Sequence, residues 1–307
     1  MGLLVQGKWQ VDELATSNGH FKRKESTFRE WVRAEGDSDF IAEPHRYHLY
    51  ISLACPWASR ALIFRKLKKL EDIISLSIVD PVVRDNGWEF SEYSNCIPDI
   101  INSTNYLHEV YTLADPSYTG RVTVPVLWDK KMRTIVSNES SEIIRMFNSE
   151  FNAFTEDTVD YYPKNLRPEI DKINDFVYNN INNGVYKCGF ATTQEAYNEA
   201  YDALFEAIET LEDHFSINNY LVNNQITEAD WRLFTTLIRF DSVYYTLYKC
   251  SKYRILDLEH LHEYLLRLFE IPGIADTVNM DHIKRHYFIS QTKLNPSKIV
   301  PKGPDLI

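Results

Sequence analysis

The hydrophobic pattern of this 307-residue chain changes once, near residue 150. From Tyr47 onward, β-branched and aromatic runs alternate with helically spaced ones. The pattern predicts strands over 47–53, 73–79, 122–128 and 133–136, helices over 56–69 and 139–148, and a long irregular insertion before residue 122. Beyond a polar passage near 149–165 the apolar period is helical throughout, in 169–178, 194–214, 227–240 and 258–269. Such a chain folds as a small α/β unit followed by an all-α one. The expected organisation is an N-terminal extension 1–46, an α/β domain 47–150, a linker 151–165, a helical domain 166–290 and a tail 291–307 that is extended from Asn295 onward. No internal repeat or low-complexity tract interrupts it.

Cys55 stands at the junction of the first strand and the first helix of this pattern. Pro56, with fixed φ and no N–H, suits the first helical position, which puts Cys55 at the N-cap. There the unpaired N–H groups and the positive end of the helix dipole favour thiolate over thiol, so a reactive thiol is expected rather than a buried, inert one. A dithiol redox enzyme carries a second cysteine three positions on; here that position is Ala58. A disulfide formed at Cys55 must therefore be resolved by a thiol from outside the motif, and glutathione is the obvious intracellular candidate.

Composition sets the surroundings for this chemistry. The chain is 44% hydrophobic and 25% charged, with 33 Lys plus Arg against 44 Asp plus Glu, a net charge of −11 that disfavours nucleic acid as a partner. No run approaches the roughly 20 apolar residues of a membrane span. Met1-Gly2 fails as a myristoylation signal because Gln6 replaces the required Ser or Thr. The expectation is a cytoplasmic protein. Its other cysteines, 96, 188 and 250, are too dispersed for a zinc site or a secreted disulfide framework. His282 and His286 have helical i, i+4 spacing, but no HExxH glutamate or third ligand accompanies them, and no metal is expected.

Two further motifs sharpen the outline. In Val122-Thr123-Val124-Pro125-Val126, proline cannot donate to a ladder, so it belongs at an edge or in a cis turn that exposes the preceding backbone to a peptide-like ligand. In Ile226-Thr227-Glu228-Ala229-Asp230-Trp231, Thr227 and Asp230 form a capping box and Ile226 and Trp231 a hydrophobic staple, a structural helix start.

Strand-Cys-Pro-helix, a Val-Pro strand, Glu139-Ser140 at a helix start and a helical second half together resemble the glutathione transferase superfamily. The runs Ser52 to Ala58, Gly87-Trp88-Glu89-Phe90, Asn138 to Arg145, Asn183 to Phe190 and Asp281 to Tyr287, with the leading Asn18 to Arg23, are similar to the xi class, the glutathionyl-hydroquinone reductases. The resemblance implies a thioredoxin-like N-terminal domain joined to an all-α C-terminal domain. It further implies a homodimer, with glutathione as cosubstrate and no bound cofactor.

The same resemblance assigns roles. Glu139 would take the ammonium of the γ-glutamyl end of glutathione, and Ser140 with helix N–H groups its carboxylate. Trp88, Arg121 and the Val122-Thr123-Val124 backbone would contact the peptide. Tyr186, read as lying in a Gly-flanked loop 184–189, would be the acid-base tyrosine, and Tyr244 and Tyr287 would hydrogen-bond the thiolate. The chain departs from the family pattern at Ser59, Ser242 and Gln291. The implied reaction is glutathione-dependent reduction of glutathionyl-hydroquinones through a Cys55–glutathione disulfide. Its alternatives are an omega-like thiol transferase or dehydroascorbate reductase, and a non-catalytic interaction module.

Overall fold

The computed structural model describes residues 2–11 and 16–304; Met1 and residues 12–15 of the expected N-terminal extension, and the last three residues of the tail, lie outside them. Two hairpins lead the chain, β1 (Gly2–Val5) with β2 (Lys8–Val11) and β3 (Thr16–Ser17) with β4 (His20–Phe21). There follow β5 (Tyr47–Ile51), α1 (Pro56–Leu67), β6 (Ser75–Ile78), α2 (Leu107–Ala114), β7 (Gly120–Arg121), β8 (Val126–Asp129), β9 (Thr134–Ser137) and α3 (Ser140–Ser149). The helical half comprises α4 (Arg167–Val177), α5 (Gly184–Phe190), α6 (Gln194–Phe215), α7 (Glu228–Arg239), α8 (Glu259–Phe269) and α9 (Met280–Ser290). The residues group into two compact units: Met1–Glu13, Glu25–Val159 and Asp276–His286 form one, and Leu14–Lys24, Asp160–Ala275 and Tyr287–Ile307 the other.

The first unit is built on a four-stranded mixed sheet, β6-β5-β8-β9, in which β5 runs parallel to β6 and antiparallel to β8. Every residue of β5 is buried, as a central strand covered on both faces requires. Helices α1 and α3 pack on each other through faces that bury Ile63, Phe64, Ile143 and Phe147. The fourth predicted strand is shorter than the sequence suggests. It begins at Val126: Pro125 has no N–H to give a ladder, and Thr123 N donates to the Tyr111 hydroxyl instead. Gly120–Arg121 pairs with β1 in a separate three-stranded sheet instead. The insertion is not wholly irregular either. Leu107, Val110 and Tyr111, at helical spacing, bury one face of α2, and Glu109 closes a capping box at its start.

In the second unit α7 is buried along its whole length. Its start is the predicted one: Thr227 Oγ1 accepts from Ala229 N at 3.3 Å, and Asp230 Oδ2 accepts from Thr227 N at 2.8 Å. Asp230 also accepts from Leu221 N and the Tyr264 hydroxyl, so one carboxylate ties three segments together. Two π-helical turns, Tyr178–Asn182 before α5 and Phe240–Tyr244 after α7, each widen the helical path. Among the described residues, no helix is long and apolar enough to cross a membrane.

Candidate active site

In the first unit Cys55 is the N-cap of α1, with extended backbone (φ −78°, ψ 122°), and Pro56 follows as predicted. The first turn of α1 carries no acidic residue, so nothing there opposes the positive helix end. Cys55 is partly exposed, and its Sγ lies 3.8 Å from the Val124 carbonyl oxygen. Ser59 is buried and its hydroxyl donates back to the Cys55 carbonyl at 3.1 Å, a bond within the helix. Cys96 is half-buried, and burial pushes its thiol up, whereas Cys188 and Cys250 are buried.

The backbone beside the thiol is fixed by Tyr111, which sequence reasoning missed. Its fully buried hydroxyl donates to Thr123 O at 2.9 Å and accepts from Thr123 N at 3.2 Å and from Asn138 Nδ2 at 3.0 Å. Burial raises the Tyr111 phenol to about 12, which keeps it a neutral hydrogen-bond donor at neutral pH. Val122 and Val124 are buried on this segment and Thr123 is exposed. Arg121 lies in β7 opposite Leu3. Trp88 stacks on the His286 ring, with centroids 5.0 Å apart and planes 16° from parallel. His286 Nδ1 meets the Pro81 carbonyl at 2.9 Å and His282 Nε2 that of Ser94 at 2.7 Å, so each histidine is engaged with backbone.

At the start of α3, Glu139 is the N-cap. Its Oε1 accepts from Ser141 N at 3.0 Å and Ser141 Oγ at 2.8 Å, and its Oε2 accepts from Ser26 Oγ at 3.0 Å. Burial works to raise this carboxyl, but these bonds and the charge of Arg60 outweigh it and hold it below the usual carboxylate range. Glu139 is therefore an anion at neutral pH. Ser140 is buried, 3.4 Å from Arg60 Nη1, and the Arg60 guanidinium lies over the Trp57 ring at 4.6 Å.

The second unit gathers the three predicted tyrosines. The Tyr287 hydroxyl is 2.8 Å from that of Tyr186 and 3.0 Å from that of Tyr244. Tyr186 is not in a loop: it lies within α5, and the flanking glycines serve close packing. A Cβ at Gly189 would stand 2.3 Å from Tyr248 Cγ, and one at Gly184 3.2 Å from Leu204 Cδ1. Tyr244 and Tyr287 are almost fully buried, and burial raises both phenols well above their ordinary value. Tyr248, missed in the sequence although it stands four residues after Tyr244, stacks on Tyr244 at 5.4 Å and meets Tyr287 edge-on at 5.7 Å. Gln291 donates to its hydroxyl at 2.9 Å. Ser242 is buried in the π-helical turn, 3.4 Å from the Arg239 carbonyl.

A partly exposed thiol at a helix N-cap beside the Val124 backbone, on a mixed sheet, is an arrangement suited to thiol chemistry on a peptide-like ligand. Residues 54–150 match the model of the glutathione S-transferase N-terminal domain and residues 194–270 that of the C-terminal domain. The chain is 50% identical to glutathionyl-hydroquinone reductase YqjG of Escherichia coli, over 99% of this chain and 95% of that one. It is 44% identical to glutathione S-transferase omega-like 2 of Schizosaccharomyces pombe, over 96% of each. Its structure resembles the xi-class glutathione transferase of Natrialba magadii, with a TM-score of 0.94 and 47% identity over 100% of this chain and 94% of that one. It also resembles the glutathione-bound structure of E. coli YqjG, with a TM-score of 0.92 and 49% identity over 99% and 97%. The chain belongs to the glutathione transferase family, within its xi class.

Proposed function

We propose that this protein reduces S-glutathionyl-hydroquinones to hydroquinones with glutathione. The observation that carries the reading is Cys55 at the α1 N-cap, with no partner cysteine in its motif, in a chain half identical to a glutathionyl-hydroquinone reductase. Thiolate Cys55 attacks the sulfur of the S-glutathionyl substrate. A sulfur–sulfur bond forms, the sulfur–aryl bond breaks, and its electron pair leaves on the ring, which takes a proton from Tyr186. The aryl carbon is reduced and the two sulfurs are oxidised to a Cys55–glutathione disulfide. A second glutathione attacks that disulfide, releases oxidised glutathione and the Cys55 thiolate, and gives up the proton that restores Tyr186.

The glutathione peptide pairs with the Val124 backbone, which Tyr111 holds in place through Thr123, and Trp88, Arg121 and Val122 line the peptide. Its ammonium is met by the Glu139 anion, and its γ-glutamyl carboxylate by Ser140 and the α3 N-terminus beside Arg60. Tyr244 and Tyr287, joined through their hydroxyls, are the residues we propose to support the thiolate. We further propose a cytoplasmic homodimer. The test is one parallel assay of a glutathionyl-hydroquinone, a glutathione mixed disulfide and dehydroascorbate. Highest kcat/KM on the glutathionyl-hydroquinone is expected; preference for either of the others assigns the omega-like activity instead.

A further inference from the structure

Arg23, from the end of the β3–β4 hairpin, places its guanidinium over the ring of Tyr186, 4.9 Å from the centroid, and 5.4 Å from that of Phe21. It is held there from behind: Arg23 Nε donates to Asn183 Oδ1 at 2.9 Å, and Asn183 is the buried N-cap residue of α5, the helix that carries Tyr186. A hydrogen bond to the start of α5 therefore helps hold a cation on the face of the phenol that the same helix carries. Asn182, beside it, adds a second tie, donating to Arg232 O at 3.1 Å and Thr236 Oγ1 at 2.8 Å in α7.

Other groups bear on the same phenol. The Tyr287 hydroxyl reaches the Tyr186 oxygen, and Tyr244 stands behind Tyr287 in the same chain of bonds. The rings of Phe21, Phe190, Tyr244 and Tyr248 pack around that of Tyr186, Phe21 and Phe190 supplying no charge. A second cation, buried Arg239, acts on Tyr244 and Tyr287, and the Arg23 charge also works against the effect of burial at Tyr248. A cation on the face of an aromatic ring is drawn to its electron density, and it is drawn more strongly once the ring carries a phenolate.

We propose that Arg23 is a positioning residue for the reduction: stacked on Tyr186 and anchored by Asn183, it orients that phenol and stabilises the phenolate left when Tyr186 gives its proton to the departing hydroquinone. The assignment rests on the proton-donor role of Tyr186 given above. It places a determinant of the chemistry in the leading segment Leu14–Lys24, which groups with the helical unit.

The experiment reads the phenol directly and turnover separately. Protein labelled with 13C at the tyrosine Cζ is titrated by NMR, with Tyr186→Phe assigning the signal, alongside kcat against pH on a glutathionyl-hydroquinone. In Arg23→Gln the Tyr186 signal should ionise at higher pH than in wild type. The alkaline limb of kcat should move the same way, and kcat at neutral pH should fall several-fold with the KM for glutathione unchanged. Arg23→Lys, which keeps the charge without the planar fork, should recover part of both shifts. An unmoved Tyr186 signal in Arg23→Gln overturns the proposal whatever the rates do. A shifted signal with wild-type turnover in both Arg23→Gln and Tyr186→Phe overturns the proton-donor role itself.

Discussion

The Sγ of Cys55 lies 3.8 Å from the carbonyl oxygen of Val124, so the proposed nucleophile and the backbone proposed to pair with glutathione stand side by side in one unit. A carbonyl oxygen accepts from a thiol and repels a thiolate. Ionisation of Cys55 should loosen this contact as glutathione arrives to pair with the same backbone.

Cys55→Ser should abolish turnover, and Cys96→Ala should retain it. Cys188→Ala and Cys250→Ala should also retain it, while each lowers stability by about 1–2 kcal/mol through lost buried volume. Intact-protein mass spectrometry after treatment with oxidised glutathione should show one adduct, on Cys55. An adduct found elsewhere and absent from Cys55 removes the thiol from the mechanism.

Tyr111→Phe should raise the KM for glutathione more than it changes alkylation of Cys55 by iodoacetamide. The phenol oxygen holds both backbone groups of exposed Thr123 and the amide of buried Asn138, so its loss strands one buried partner and should cost about 1–3 kcal/mol in urea unfolding. An unchanged KM would show that Thr123 keeps its place unaided.

Tyr186→Phe should slow release of hydroquinone while leaving the alkylation rate of Cys55 near wild type. Tyr287→Phe should do more, because its hydroxyl is the link between Tyr186 and Tyr244. If Tyr287 and Tyr244 support the thiolate, their Phe variants should move the alkylation profile to higher pH. Three variants with wild-type turnover and alkylation would reduce these tyrosines to packing residues.

Glu139 is held below its ordinary pKa, so its contribution to stability is fully present above the unfolded carboxyl value and is lost as pH falls through the lower folded value. Glu139→Gln should flatten that acid limb in thermal unfolding. It should also lower stability at neutral pH by about 1 kcal/mol, as loss of an N-cap does. Weakened glutathione binding in the same variant, by calorimetry, checks the proposed ammonium contact.

What the sequence displayed was local chemistry. Cys55-Pro56 and Thr227-to-Asp230 are legible because a cap is decided by a few neighbouring side chains, and both stand where the pattern puts them. Tyr186 was misplaced because two flanking glycines ordinarily weaken a helix by about 1 kcal/mol each, whereas here they admit Tyr248 and Leu204 against the helix surface. The roles of Tyr111 and Arg23 arise between segments distant in sequence, where no spacing rule applies. Tyr111 at least left a trace in the apolar period of Leu107, Val110 and Tyr111.

The π-helical turn Tyr178–Asn182 carries one residue more than an α-helical turn over the same path. Each residue of an α-helix advances the winding by about 100°. Removing one amino acid between 178 and 182 would therefore relax the turn to α-helical winding with the phenol at 186 still on its present face, whereas removing Gly184 or Val185, where the winding is already α-helical, would swing it round by about 100°. The spare length lies in this turn, and alignments of related chains should place a one-residue gap at 178–182 sooner than at 184–185.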